Sequence, residues 1–147
     1  MEQTTGPGVL QTQRVLPFSP ETIYAAFADP VRLARWWGPA GFSNRFEVFE
    51  FHEGGSWQFV MQGPDGKHYP NRSLFRTLEP GRKVVVQHLS APHFTLTVEL
   101  QPDVAGALLR WVQAFDDPKV AAAVEHIVVP SNEQNLDRLH AELERRG

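Results

Sequence analysis

From Phe42 to Phe115 the chain is cut by turn signals into short runs whose apolar residues recur at every second position. "FTLTVEL" sets Phe94, Leu96, Val98 and Leu100 on one face and Thr95, Thr97 and Glu99 on the other. "SWQFVMQ" does the same with Trp57, Phe59 and Met61. A period of two is the period of a strand. Between the runs, "GPDG" (63–66), "EPGR" (79–82) and "QPDVAG" (101–106) supply the proline, glycine and aspartate that tight turns use. Short strands joined by short turns predict an antiparallel meander with one face buried and the other wet. Such a sheet has a broad apolar face to cover, and little chain remains to cover it.

That remaining chain reads as helix. Ser19-Pro20 and Asp29-Pro30 each place a capping side chain before a proline at the first helical position. They predict two short helices in series, with Ile23 and Phe27 one turn apart on the first. The second ends at Trp36-Trp37, where Gly38-Pro39 stops it. Neighbouring helical residues point about 100° apart. One tryptophan is therefore expected to plug the core and the other to edge a cavity mouth. At the far end, Leu136, Leu139 and Leu143 form a stripe at helical spacing. A capping box of Ser131 and Gln134 is expected to open that helix, and "ELERR" to close it with exposed charge. "PKVAAAVEHIVV" reads as a separate short helix whose end before Pro130 is not fixed by the sequence. The prediction is an α+β fold in which a curved antiparallel sheet of about six to seven strands wraps one long C-terminal helix. A length of 147 residues suits a single domain, read as 9–147 after a flexible lead-in at 1–8.

Several function classes fall away. The net charge of −3 and the lack of a basic stretch give no footprint for nucleic acid. The absence of cysteine removes disulfides and thiolate metal sites. No apolar run approaches the roughly 20 residues that span a bilayer, and "MEQTTGPG" lacks the features of a signal peptide. These observations point to a cytoplasmic protein. The six histidines (His52, His68, His88, His93, His126, His140) show no metal-binding spacing such as HExxH. There is no GxSxG elbow and no phosphate-binding glycine loop. Carboxylates such as Asp65, Glu79 and Asp103 fall in predicted turns. No catalytic residue, metal or cofactor is expected.

The pieces "FSPETIYAAFADPVRLARWWGPAGF", "GGSWQFVMQGPDGKHYPNRSLF", "EPGRKVVVQH" and "NLDRLHAEL" occur in that order from about Arg14 to Leu143. Together they resemble the START-like (SRPBCC) superfamily. More closely, the chain is similar to the family named after the activator of heat shock protein 90 ATPase, in its bacterial-type single-domain form, often labelled polyketide cyclase-like. The resemblance implies a helix-grip (START/Bet v-like) fold with a cavity between sheet and C-terminal helix. Related proteins bind or transform small apolar molecules there. The eukaryotic co-chaperones that name the family carry this domain beside another, so their activity is not transferred. Many relatives have Gly-Trp ahead of "LDRL", where this chain has Ser131-Asn132. A bulky lid residue is therefore expected to be missing at the helix start.

The strand period also sorts polar residues. Asn71 and Ser73 share a face with Phe75, His88 with Val84 and Val86, and Gln113 with Leu109, Trp111 and Phe115. Apolar walls carrying a few orienting polar groups are the composition of a small-molecule site. The candidate ligand-binding set is Trp36, Trp37, Phe42, Trp57, Phe59, Met61, Asn71, Ser73, Phe75, His88, Phe94, Trp111, Gln113, Leu136 and Leu139. For His88 taken alone, a satisfied core histidine is the stronger reading. The leading expectation is binding of a small apolar or amphipathic molecule. One competitor is a cyclase- or hydrolase-type enzyme with His88 as base beside Asn71, Ser73 or Gln113. The other is a co-chaperone-like or regulatory module that binds a protein partner. A homodimer is compatible with all three.

Overall fold

In the computed structural model, which describes residues 6–146, the first strand pairs with the last. The chain runs β1 (Val9–Leu16), α1 (Pro20–Ala28), α2 (Pro30–Trp36), β2 (Ser43–Phe49), β3 (Ser56–Gln62), β4 (His68–Glu79), β5 (Lys83–His88), β6 (Phe94–Asp103), β7 (Gly106–Phe115) and α3 (Pro118–Arg146). The seven strands form one antiparallel sheet in the order β1-β7-β6-β5-β4-β3-β2. Of the lead-in predicted at 1–8, residues 1–5 lie outside the described residues. Gly8 is held against the end of β7, its carbonyl accepting from Phe115 N at 2.9 Å.

The turn chemistry is as the sequence reads. Gly66 N donates to the Gly63 carbonyl at 2.9 Å and Arg82 N to the Glu79 carbonyl at 2.9 Å, closing two of the hairpins. Bulges interrupt the register of β2 between Phe46 and Val48 and of β4 between Phe75 and Thr77. An extra residue on one strand bends it and raises its twist. The concave face carries the core, including Trp57, Phe59, Phe75, Val84, Val86, Leu96, Val98, Leu109 and Trp111. The convex face is not uniformly wet. Thr97 lies between Val85 and Val112 across the central strands, and all three are buried.

Both short helices start as predicted. Ser19 Oγ accepts from Thr22 N at 3.1 Å, and Asp29 Oδ1 accepts from Val31 N at 3.0 Å and Arg32 N at 3.4 Å. The long helix does not. It is one helix of 29 residues that runs through Pro130, so Ser131 and Gln134 are interior and form no capping box. Ser131-Asn132 stands mid-helix, and no helix start lacks a lid residue there. The helix begins at Asp117-Pro118, where Asp117 Oδ1 accepts from Lys119 N at 2.9 Å. Pro130 removes one backbone donor. The apolar side chains of the first half offset that loss, with Ala121, Val120, Val124, Val128 and Val129 packing on Leu10, Phe115 and Phe94.

The C-terminal charge is not all exposed. Glu142 is 3% exposed and binds both arginines of α2. Arg35 donates through Nε to Oε1 at 2.9 Å and through Nη2 to Oε2 at 2.8 Å, while Arg32 Nε reaches Oε2 at 3.1 Å. The Arg35 hydrogen bonds, helped by those of Arg32, push Glu142 down to about 2 against the cost of its burial. Arg32 is 5% exposed, so losing the carboxylate would strand its charge in the core.

Because the Glu142 carboxyl titrates lower in the folded chain than in the unfolded one, its contribution is complete above the ordinary carboxylate range and fades as pH falls toward 2. Glu142→Gln should cost about 3 kcal/mol at pH 7 by urea unfolding. The gap to the parent protein should narrow as pH falls from 5 toward about 2. An equal gap at every pH would contradict this assignment.

Candidate functional site

The site is built around the end of α2. The last carbonyls of a helix have no partner within it, and here side chains from two other elements supply them. Asn44 of β2 donates to the carbonyls of Ala34 at 3.1 Å and Trp37 at 2.8 Å. From α3, Asn135 donates to the Trp36 carbonyl at 2.8 Å. Arg138 donates to the carbonyls of Arg35 at 2.7 Å, Trp37 at 3.1 Å, Gly38 at 3.0 Å and Pro39 at 2.9 Å. Gly38 has a φ of +96°, and a Cβ there would lie 2.6 Å from Met61 Cε. That φ favours glycine, and any side chain there would also have to displace the Met61 methyl.

This clamp sets the two tryptophans apart. Trp36 is 1% exposed, and its indole donates to the Ala26 carbonyl at 3.0 Å. Trp37 turns the other way, over the sheet. Its ring lies 4.9 Å from Trp57, 5.5 Å from Trp111 and 5.6 Å from Trp36. All four tryptophans of the chain thus meet in one cluster.

Beside that cluster is a hollow of about 200 Å3. Its walls are Trp37 together with Trp57, Phe59 and Met61 of β3, Asn71 and Ser73 of β4, Val86 and His88 of β5, Pro92, and Phe94 and Leu96 of β6. No residue of α3 lines it, which corrects the expectation of a cavity between sheet and C-terminal helix. The helix lies instead on the β1–β7 side, tied there by Arg14 to Asp137 at 2.7 Å and to Glu133 at 2.9 Å. Its Leu136, Leu139 and Leu143 are fully buried and fill that half of the concave face. The β3–β6 half lies beyond their reach and keeps the space. A larger hollow of about 450 Å3 lies elsewhere, between the start of α1 and the β4–β5 turn, lined mainly by charged and polar side chains such as Glu21, Glu79, Arg82 and Glu99. It has few apolar walls, so the smaller, aromatic hollow is the candidate site.

The predicted residues divide accordingly. Trp37, Trp57, Phe59, Met61, Asn71, Ser73, His88 and Phe94 line the hollow. Trp36, Phe75, Trp111, Leu136 and Leu139 are packed core away from it. Phe42 lies against Tyr69 with ring centres 6.0 Å apart. Gln113 is buried and accepts from Asn132 of α3 at 3.1 Å, so it serves the helix. Val86, Pro92 and Leu96 were missed. Val86 and Leu96 share their strand faces with His88 and Phe94, a signal already in the period. Pro92 lies in a loop, where no period applies.

One row of side chains crosses the hollow. Trp57, Ser73, His88 and Phe94 are successive partners on β3, β4, β5 and β6. His88 stacks on Phe94 at 4.5 Å and 11°. Its Nδ1 donates to the Pro92 carbonyl at 2.8 Å, and its Nε2 is 2.7 Å from Asn71 Oδ1. Asn71 Nδ2 in turn donates to the Tyr69 carbonyl at 2.8 Å. Two acceptors therefore face the ring, an arrangement that a doubly protonated imidazole satisfies. Burial opposes that charge and lowers the His88 pKa, only partly offset by the Pro92 carbonyl. In the neutral ring Nε2 is an acceptor, and the Asn71 amide must turn to meet it. The His88 proton and the Asn71 amide are thereby coupled. With both nitrogens engaged by Pro92 and Asn71, neither is free to meet a ligand while these contacts stand. The second serine beside it, Ser90, sits at 3.5 Å, longer than an activated nucleophile requires.

Among the described residues, no group of three or more His, Asp or Glu is placed to hold a metal ion, and no helix is long and apolar enough to cross a membrane. No curated protein matches the chain significantly. Solved structures do. A Nitrosomonas europaea protein superposes with a TM-score of 0.88 at 20% identity, covering 97% of each chain. A Chromobacterium violaceum protein gives 0.81 at 26% identity, covering 92% of this chain and 96% of its own. A Silicibacter pomeroyi protein described as AHSA1 gives 0.76 at 21% identity, covering 95% and 99%. The profile of one family matches residues 17–144, nearly the whole grip from the end of β1 to the last turn of α3. The chain belongs to the family described as Activator of Hsp90 ATPase homolog 1-like protein.

Proposed function

We propose that the protein binds a small apolar or amphipathic molecule in the hollow over β3–β6. The observation that carries this reading is the composition of the walls: four aromatic rings, Trp37, Trp57, Phe59 and Phe94, around one polar cluster of Asn71, Ser73 and His88. Apolar walls give affinity, and a few placed polar groups give orientation. Size narrows the class. An apolar cavity of roughly 150 Å3 accommodates benzene. A hollow of about 200 Å3 suits a single ring with a short substituent, well below a sterol or an acyl chain. A docking surface for protein has less support. The large exposed apolar side chains, Val15, Val31, Tyr69, Val104 and Ile127, sit one each on β1, α2, β4, the β6–β7 turn and α3. Singly placed residues of this kind are normal on a monomer.

The test is a library of single-ring fragments read by tryptophan fluorescence, since Trp37 and Trp57 both face the hollow. Binding should quench or shift the emission, and Val86→Phe, which pushes a ring into the space, should abolish it. Overpacking there should cost about 1–3 kcal/mol, leaving a folded protein. No ligand from the library, or equal binding by Val86→Phe, would contradict the reading.

His88 supplies a second prediction. Its pKa is lowered in the folded chain, so folding favours the neutral ring. The stability it contributes is complete above the ordinary value of about 6.5 and is lost as pH falls below it. His88→Gln should flatten the stability profile below about pH 6.5 relative to the parent. A ring that titrates by NMR above the ordinary histidine value would reverse the sign and refute the assignment.

A further inference from the structure

The polar contacts that hold α3 to the rest of the fold stop at Pro130. On its C-terminal side they are dense. Asn132 donates to Gln113 Oε1 at 3.1 Å, and Gln134 accepts from Ala40 N at 3.1 Å. Glu133 accepts from Thr12 and, with Asp137, pairs with Arg14. Asn135, Arg138 and Glu142 grip α2. Leu136, Leu139 and Leu143 are fully buried. On the N-terminal side, the side chains of residues 118–130 make no hydrogen bond or ion pair among the described residues, although they include Lys119, Glu125 and His126. Of these residues only Ala121 is buried, with half-buried valines beside it. They rest on Leu10 and Phe115, in a small cluster apart from the main core. Pro130 stands at this boundary. It has no N–H to give the carbonyl of His126, four residues earlier, and its ring crowds that carbonyl. The break in the backbone ladder thus falls where the anchoring changes.

We propose that residues 118–129 form a flap that opens as a unit about Pro130, and that its opening releases Phe94 and admits ligand to the hollow. The inference rests on the binding reading above and adds the route of entry. Segments with few buried contacts open at lower free energy than the body they pack on, and the elements that cover binding sites are drawn from them. Opening this flap breaks no side-chain hydrogen bond or ion pair; apolar contacts alone are lost. Phe94 links the flap to the site. It packs against the flap's cluster, stacks on His88 at 4.5 Å, meets Phe115 at 5.4 Å and lines the hollow. The flap therefore backs one wall of the hollow without lining it. Closed, it holds that wall upright. Open, it leaves the Phe94 ring unsupported on the helix side and free to turn out.

The experiment uses the full chain and begins with native-state hydrogen exchange followed by NMR. Amides 123–129 should have protection factors about tenfold or more below those of amides 135–143. Glu142→Gln weakens the anchored half, so it should lower protection at 135–143 and leave 123–129 within about threefold of the parent. Equal protection in the two halves, or parallel falls in Glu142→Gln, would overturn the flap. The gate is then read with toluene, or with a single-ring fragment that does bind, by NMR exchange rates. Pro130→Ala restores the missing donor and favours the closed helix. Association and dissociation should both slow by about tenfold, with the affinity unchanged, because the closed state binds and the open state only admits. Unchanged rates in Pro130→Ala would overturn the gate and leave the binding reading intact. If no single-ring fragment binds, the gate fails together with the binding reading.

Discussion

The carbonyls at the end of α2 are the constraint on which the rest depends. From Ala34 to Pro39 each carbonyl oxygen accepts from Asn44, Asn135 or Arg138. A helix end that would otherwise face water or cost stability becomes the joint between α2, β2 and α3. Glu142 adds a second joint to the same pair of helices through Arg32 and Arg35. With α2 fixed this way, Trp36 can only enter the core and Trp37 can only lie across the sheet. The polar clamp decides where the aromatic mass goes.

That placement explains why the concave face is half filled. A single helix carries one apolar stripe, and a stripe of three leucines covers part of a seven-stranded sheet. The ion pairs of Arg14 keep α3 over β1. Over β3–β6 the cover is Trp37, a flat ring standing edge-on to Trp57. A helix presents many side chains that interlock, whereas one ring roofs a space without filling it. The hollow is a consequence of covering a wide sheet with unequal parts. The row from Trp57 to Phe94 then gives it a chemical character: aromatic at both ends, with Ser73 and His88 between.

Much of this was legible in the sequence, and the failures have physical causes. The period of two found β3 to β7, because each carries buried side chains on one face. The cap-and-proline pairs at Ser19-Pro20 and Asp29-Pro30 found both short helices. The same device at Asp117-Pro118 marks the start of α3, yet Pro130 looked like a stop. Tertiary packing of Val120, Val124 and Val128 overrode it, and such packing has no local signature. Glu142 looked like tail charge for a similar reason: its partners Arg32 and Arg35 stand over a hundred positions away. Eight residues of the hollow were found because period and register agree there. Its location was missed, because no single strand reveals which half of a sheet a distant helix will cover.

The central claim is that space lies under Trp37 and not under α3, and xenon diffraction tests it most directly. Xenon enters dry apolar cavities of this size. A crystal of the protein pressurised with xenon should show a peak between Trp37, Trp57, Val86 and Phe94, and none among Leu136, Leu139 and Leu143. A xenon site beneath the leucines, or a hollow closed by its own side chains, would contradict the account.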